Sequence, residues 1–462
     1  MPEISVEQIE QNFAEINPAM TIAEALAEAN RCLYCYDAPC TRACPTHIDV
    51  PAFIKKIASG NLTGSARVIF DANPIGATCS RVCPVEVLCE GACVEKTLVN
   101  KPIEIGRLQR YATDHVLHTN KTLFQKHEPN GHSIGIIGSG PAGLSCASYL
   151  SRLGYEVSVY ERKPLAGGLD TYGMAEYKMR QSVSHSEVDH IARSGVKFIL
   201  NTEIVGENSV ETEELGSVNR VSIGSLREWH SAVFLATGLG TTNRLNVPGE
   251  NLVGVVDALS FIEHVKTRDW DNVPLGRNVA VIGAGNTAID AVTQAKRLGA
   301  EKVMLIYRRN EYEAPAYEYE KELAKKDGIE FLWQTVPVEI IGDGNVSAIR
   351  CKVADGSMRE IACDQVIKAI GQSKMHSFFA EVIGVDVDEK GHVIVNEQMQ
   401  TSDPKIFAGG DCVNGGGEAV EAAQMGKLAA MGIHETLSGE TIEFAGALLR
   451  DPPKAPVDTI LH

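Results

Sequence analysis

The 462-residue sequence has no apolar run approaching the roughly 18 residues that a helix needs to cross a bilayer. Hydrophobic residues make up 44% and charged residues 22%, close to the globular average, so a globular chain without a membrane span is expected. The start, MPEISVEQIEQNF, lacks the basic stretch and apolar segment of a secretory signal, which predicts a cytoplasmic protein. Positive charge is scarce: 43 Lys and Arg face 60 Asp and Glu, and a net charge of -17 repels phosphate backbones, so nucleic acid is not an expected partner. No Ser/His/Asp set or paired-carboxylate motif asks for a hydrolytic reading. The 13 histidines show no metal-ligand spacing, and His115 and His118 read as a solvated helix face. Low-complexity segments are missing too, and the length predicts two or three domains.

Cysteine is what the chain has, and it is unevenly spread. Of 12 cysteines, Cys146, Cys351, Cys363 and Cys412 are scattered and read as core. The others, Cys32, Cys35, Cys40, Cys44, Cys79, Cys83, Cys89 and Cys93, fall within the first hundred residues. A reducing compartment keeps thiols free, and free clustered thiols bind metal. Structural zinc wants two Cys-x2-Cys pairs, whereas the spacing here is C-x2-C-x4-C-x3-C-P followed by C-x3-C-P-x4-C-x3-C. A Cys-Pro closing a tight run suits iron-sulfur ligation, and eight thiols would serve two [4Fe-4S] clusters. Zinc remains the alternative on spacing alone.

Residues 1–130 carry helical patterns (TIAEALAEANRCL, VPAFIKKIASG, IEIGRLQRYATDHVLHT) and predict an all-helical domain around these cofactors, followed by a polar linker. Then SIGIIGSGPAGLSCASYLSRLGYEVSVYE reads as strand, glycine turn, helix and strand. Gly138, Gly140 and Gly143, with Pro141 and Ala142 between them, form G-x-G-x-x-G, which lets backbone N–H groups approach a pyrophosphate at a helix N-terminus. Glu161, ending the second strand, is placed to accept from a ribose 2'-OH, as FAD or NAD offers. A second unit, RNVAVIGAGNTAIDAVTQAKRLGAEKVMLIYRR, has Gly283, Gly285, Asn286, Thr287 and Ala288 in a G-x-G-x-x-A turn. Arg308 and Arg309 stand where an acid would, which favours a 2'-phosphate and hence NADPH over NADH; the bland reading is a solvated basic pair. AVFLATGLG reads as a strand ending near Thr237 and Gly238, and IFAGGDC places Gly410 and Asp411 where a ribityl hydroxyl of FAD could be held, or where a plain helix cap would stand. The expected class is α/β: a helical iron-sulfur domain, an FAD domain of 131–245 and 372–437, a Rossmann-like NAD(P)H domain of 246–371 inserted in it, and a tail of 438–462.

RCLYCYDAPCTRACPTHIDVPAFI, ANPIGATCSRVCPVEVLCEGAC and PIEIGRLQRYATD, together with the two fingerprints, resemble the FAD/NAD(P)H/iron-sulfur electron-input modules of dihydropyrimidine dehydrogenase and of the glutamate synthase small subunit. The resemblance covers nearly the whole chain and is nearer to the separate flavin subunits of the bacterial pyrimidine enzymes. It implies one [4Fe-4S] cluster on Cys32, Cys35, Cys40 and Cys93, and a second on Cys44, Cys83, Cys89 and the side chain of Gln109, with Cys79 left out. It further implies that Gly168 and Leu169 line the flavin, with Lys178 at the place of a basic residue near the flavin edge. The sequence departs from the family at Met174-Ala175, where Ile-Pro is usual, and in its glycine-rich NGGGEAV. The resemblance implies electron flow from NAD(P)H through FAD and the two clusters. Since no FMN barrel follows residue 437, the expected partner is an FMN-containing catalytic subunit in a heteromer, reducing uracil or thymine, or alternatively the large subunit of glutamate synthase. A non-catalytic zinc protein with nucleotide folds that only bind is the expectation from another class.

Overall fold

The computed structural model describes residues 4–207, 209 and 218–445; the expected tail beyond 445 lies outside them. By internal contacts the chain forms two units. One comprises Met1–Ile16, Thr171–Gln181 and Gly240–Ser373, the other Asn17–Asp170, Ser182–Leu239 and Lys374–His462.

The larger unit begins with helices whose ends are set by local chemistry. Thr21 and Glu24 form a reciprocal capping box at Ile22–Ala29, Asp49 caps Val50–Ala58 through the Ala52 N–H, and Asn61 caps Leu62–Ala72. Each such cap is worth about 1 kcal/mol. Phe53, Ile54 and Ile57 lie on one face at helical spacing and are fully buried, which stabilises by about 1.5–3 kcal/mol per side chain. They share a single apolar core with Leu108, Ala112 and Val116 of the helix Ile105–Thr119 and with Ile134, Val157 and Phe234 of the adjoining sheet.

That sheet is parallel and five-stranded, in the order Ile406–Ala408, Ala232–Leu235, Ser133–Ile137, Glu156–Tyr160, Lys197–Ile199. Its strands are nearly unbroken apolar runs because helices cover parallel sheets on both faces. The helices Pro141–Arg152 and Ala419–Ser438 pack on one another beside it. Its first strand comes from beyond residue 373, so the Gly240–Ser373 segment is an insertion within this sheet's connectivity.

The smaller unit holds a second parallel five-stranded sheet, in the order Glu330–Leu332, Lys302–Ile306, Asn278–Ile282, Gln365–Lys368, Val255–Asp257. It adds an antiparallel meander of Val336–Asp343, Asn345–Lys352 and Met358–Ala362. Gly344, at φ +75°, makes the tight turn between the first two strands of that meander. Ala175 and Tyr177 enter this unit's core, as do Ile9 of the helix Val6–Asn12 and Phe13, which caps that helix's C-terminus. Lys266 and Glu176 form an ion pair at 3.2 Å with both side chains fully buried. Both sheets with their covering helices are Rossmann-like. Among the described residues no helix is long and apolar enough to cross a membrane.

Candidate functional site

The first glycine turn follows the strand Ser133–Ile137. Gly138 sits at φ +97°, and a Cβ there would lie 2.3 Å from the Ala236 carbonyl oxygen, so no side chain fits. Gly143 is closed in the same way by the Gly138 carbonyl oxygen at 2.1 Å, which brings the helix Pro141–Arg152 down onto the strand. Gly140 is the N-cap of that helix with Pro141 at its start, leaving backbone N–H groups free at the positive end of the dipole. A Cβ on Gly168 would stand 2.6 Å from the Gly140 Cα, so these two glycines face each other as bare backbone. Leu169 is exposed beside them, an apolar surface suited to a flat ring.

The Glu161 carboxylate is buried. Its Oε2 accepts from the Ser139 N–H at 3.1 Å and the Ser139 hydroxyl at 2.6 Å, and its Oε1 accepts from the Lys163 N–H at 2.9 Å. A carboxylate has about four acceptor positions, so one remains for a ribose hydroxyl. Thr237 and Gly238 follow the strand Ala232–Leu235, with Gly238 at φ +68°. Gly410, at φ +78°, starts the turn Asp411–Asn414. Burial pushes the Asp411 carboxyl upward, and its Oδ1 accepts from the Gly417 N–H at 3.3 Å. These residues gather at the carboxyl ends of the sheet strands, where open parallel sheets bind their ligands.

In the smaller unit the second turn opens onto a cavity of about 650 Å³. Gly283, Gly285 and Thr287 line it, as does Arg308, whereas Asn286 and Arg309 do not. Gly283 lies at φ +126°, with a Cβ position 2.1 Å from the Ala369 carbonyl oxygen. The Asn286 side chain accepts from the Tyr317 N–H at 3.1 Å. Sequence reasoning missed Arg244 and Lys368, which also line the cavity. Lys368 is held by Glu250 at 3.0 Å and Asp257 at 3.2 Å. Its charge is therefore balanced, while Arg308 and Arg244 present theirs to the cavity. Lys178 also belongs to this unit: its ammonium lies 2.7 Å from Asp290 and 2.6 Å from Glu320, all three side chains being buried. Burial works to lower the Lys178 pKa, but the two carboxylates outweigh it and raise the pKa.

The clustered thiols ring two small apolar cavities in the larger unit. Cys32, Cys35, Cys40 and Cys93 line one, and Cys44, Cys79, Cys83, Cys89 and Gln109 line the other. Among the described residues no three His, Cys, Asp or Glu side chains are placed to hold a single ion. Sulfurs spread around a space suit a metal group with a body of its own. Burial, reinforced by Cys93, pushes the Cys40 thiol up to about 12. Burial and then Cys44 push Cys89 well above its ordinary value. Thiolates so close together need a cationic centre to hold them deprotonated, which a cluster supplies. The Gln109 amide donates to the Gly76 carbonyl at 2.7 Å, which fixes the plane of the group and leaves its oxygen as an acceptor. Cys79 is instead hydrogen-bonded by the Asn73 amide at 3.2 Å.

Residues 132–426 match the pyridine nucleotide-disulphide oxidoreductase family. Residues 9–121 match the dihydropyrimidine dehydrogenase domain II, 4Fe-4S cluster, family. The chain is 34% identical over 431 residues to the NAD-dependent dihydropyrimidine dehydrogenase subunit PreT of Escherichia coli, spanning 93% of this chain and 98% of that one. It is 33% identical over 455 residues to the glutamate synthase [NADPH] small chain of the same organism, covering 91% and 93%. Among solved structures, T. acidophilum thioredoxin reductase aligns with a TM-score of 0.52 at 23% identity, over 66% of this chain and 98% of that one, a likeness of fold. With both glycine turns, the cofactor-sized cavity and the two rings of cysteine in place, the chain belongs to the family of FAD- and NAD(P)H-dependent, iron-sulfur electron-transfer oxidoreductases that includes the PreT subunits and the glutamate synthase small chains.

Proposed function

We propose that this chain is the electron-input subunit of a heteromeric dihydropyrimidine dehydrogenase, delivering electrons from NAD(P)H to a partner that carries FMN and reduces uracil or thymine. The observation that carries the reading is the shared core: the helices around the two cysteine-lined cavities and the sheet of the first glycine turn form one packed unit. The proposed cysteine ligands and flavin site would thereby sit in one packed unit, as stepwise electron transfer requires.

Gly138, Gly140, Gly143, Glu161, Gly168 and Asp411 would hold FAD, and Gly283, Gly285, Thr287 and Arg308 would hold the nicotinamide dinucleotide. Cys32, Cys35, Cys40 and Cys93 would ligate one [4Fe-4S] cluster, and Cys44, Cys83, Cys89 and Gln109 the other. When bound, the flavin supplies conversion of a hydride into single electrons, and the clusters carry these onward. The chain's residues do the positioning. The facing glycines admit the dinucleotide backbone, helix N-termini neutralise its phosphates, and the apolar walls around the thiols keep water out. Leu33 and Tyr36 are exposed beside Cys32 and Cys35. The first cavity is therefore the exit side in this reading, with that apolar surface meeting the partner.

A second reading, the small chain of an NADPH-dependent glutamate synthase, is favoured by Arg308 in the nucleotide cavity, a residue suited to a 2'-phosphate. Mixing the anaerobically purified chain with each kind of large subunit separates the two. NAD(P)H oxidation that depends on uracil supports the first reading. Oxidation that depends on glutamine and 2-oxoglutarate, with none on uracil, overturns it in favour of the second.

A further inference from the structure

Lys427, in the middle of the helix Ala419–Ser438, is fully buried. Its ammonium donates to the backbone carbonyls of Thr46 and Ala445, each at 3.0 Å, and lies 5.9 Å from the Tyr149 ring centroid. Among the described residues no carboxylate stands within ion-pair distance of it. Asp71, the acid whose charge it feels, is bound to Arg152 at 2.5 Å. Burial drives the Lys427 pKa down to about 7, while Cys44 and Asp71 work to raise it. An ammonium buried without a counter-charge costs several kcal/mol. A protein tolerates one where an anion completes the site.

The position of that anion follows from the neighbours. Thr46, whose carbonyl Lys427 grips, also places its hydroxyl 3.4 Å from the Cys44 sulfur. Val420, two turns before Lys427 on the same helix, lines the cavity of Cys44, Cys83, Cys89 and Gln109. The other charges around this cavity are acidic or already matched. Glu90 lies by Cys89 and Glu187 by Cys79, and Arg81 is paired with Asp114 at 2.8 Å.

Resting on the reading of this cavity as a cluster site, we propose that Lys427 is the fixed counter-charge of the iron-sulfur group held by Cys44, and that it favours that group's reduced form. Reduction of that group would add negative charge at the site, which the Lys427 ammonium would offset. Lys427 is thus a positioning residue for charge and touches no substrate.

The test is an anaerobic redox titration of the full-length chain followed by electron paramagnetic resonance, comparing wild type with Lys427→Met and Lys427→Arg. In Lys427→Met, the reduced-to-oxidised ratio of one cluster at fixed potential should fall about tenfold, a shift of 59 mV for a one-electron couple. The other cluster should stay in place, and Lys427→Arg should restore the first. Loss of about four irons in Lys427→Met but not in Lys427→Arg supports the same conclusion. Two clusters with unmoved potentials in Lys427→Met, or equal changes in both variants, overturn it. A wild-type chain with about four irons and one reducible cluster overturns the two-cluster reading, and this inference with it.

Discussion

Replacing Lys178 by Met tests whether this residue is a structural cation. Its ammonium sits between Asp290 and Glu320 at 2.7 and 2.6 Å, with side chains 9%, 8% and 4% exposed. At an effective dielectric constant of about 20, each contact has a gross attraction of about 6 kcal/mol. Desolvation and the repulsion between the two acids offset most of that. Above pH about 7, where Glu320 is ionised, removing the lysine strands two carboxylates in a buried site, and losses of about 3–5 kcal/mol follow from breaking such pairs. Tyr177 donates to Asp290 at 2.8 Å and cannot replace a full charge. With a urea dependence of about 2 kcal/mol per molar, the midpoint should fall by about 2 M. Tryptophan fluorescence reports mainly on the correct unit, because Trp270 and Trp333 lie in the core region of the smaller unit while the third tryptophan, Trp229, is exposed in the larger one. A loss below about 1 kcal/mol, accompanied by a changed flavin absorption band, would refute this reasoning and place Lys178 at the flavin edge.

Further expected outcomes concern the same unit and the clusters. Burial, opposed by Lys178 and reinforced by Asp290, pushes Glu320 up to about 7. A carboxyl with a raised folded pKa contributes stability that is complete below its unfolded value and is lost as pH rises through about 7. Urea midpoints of this unit should therefore fall between pH 5.5 and 8 in wild type and less so in Glu320→Gln; equal slopes count against it. Arg308→Ala removes a charge-assisted contact worth about 1.5–3 kcal/mol, so KM for NADPH should rise about 10–100-fold with little change for NADH, and parallel changes would argue against a 2'-phosphate contact. Gln109→Leu should lower bound iron from about eight to about four per chain, while Cys79→Ser keeps it. The reverse result makes Cys79 the ligand.

Local signals made much of the fold legible. The two G-x-G turns lie between apolar strands and amphipathic helices, and both sheets form where those runs predict parallel strands. The cysteine runs stood out as candidate ligand groups because their spacing is short-range. Spacing alone counted Cys79 among eight thiols, and only the resemblance implied Gln109; both line one cavity, where the Gln109 amide donates to the Gly76 carbonyl and Cys79 is hydrogen-bonded by the Asn73 amide. The segment Thr171–Gln181 has no strong periodicity. Its place in the smaller unit comes from Tyr177 and Ala175 entering a core built by residues a hundred positions away. Lys427 reads locally as one polar residue on an alanine-rich helix, and its burial arises only when that helix meets the chain near Thr46. The meander from Val336 to Ala362 likewise has mixed patterning because one face stays open.

The most direct check on the central claim is an anaerobic titration of the isolated chain with NADPH and with NADH, following flavin absorbance and electron paramagnetic resonance together. The account predicts bleaching of bound flavin followed by signals of reduced [4Fe-4S] clusters in the same molecules. Flavin that bleaches while ligated iron stays oxidised at every reductant level, or a preparation that holds zinc in place of iron, would contradict it.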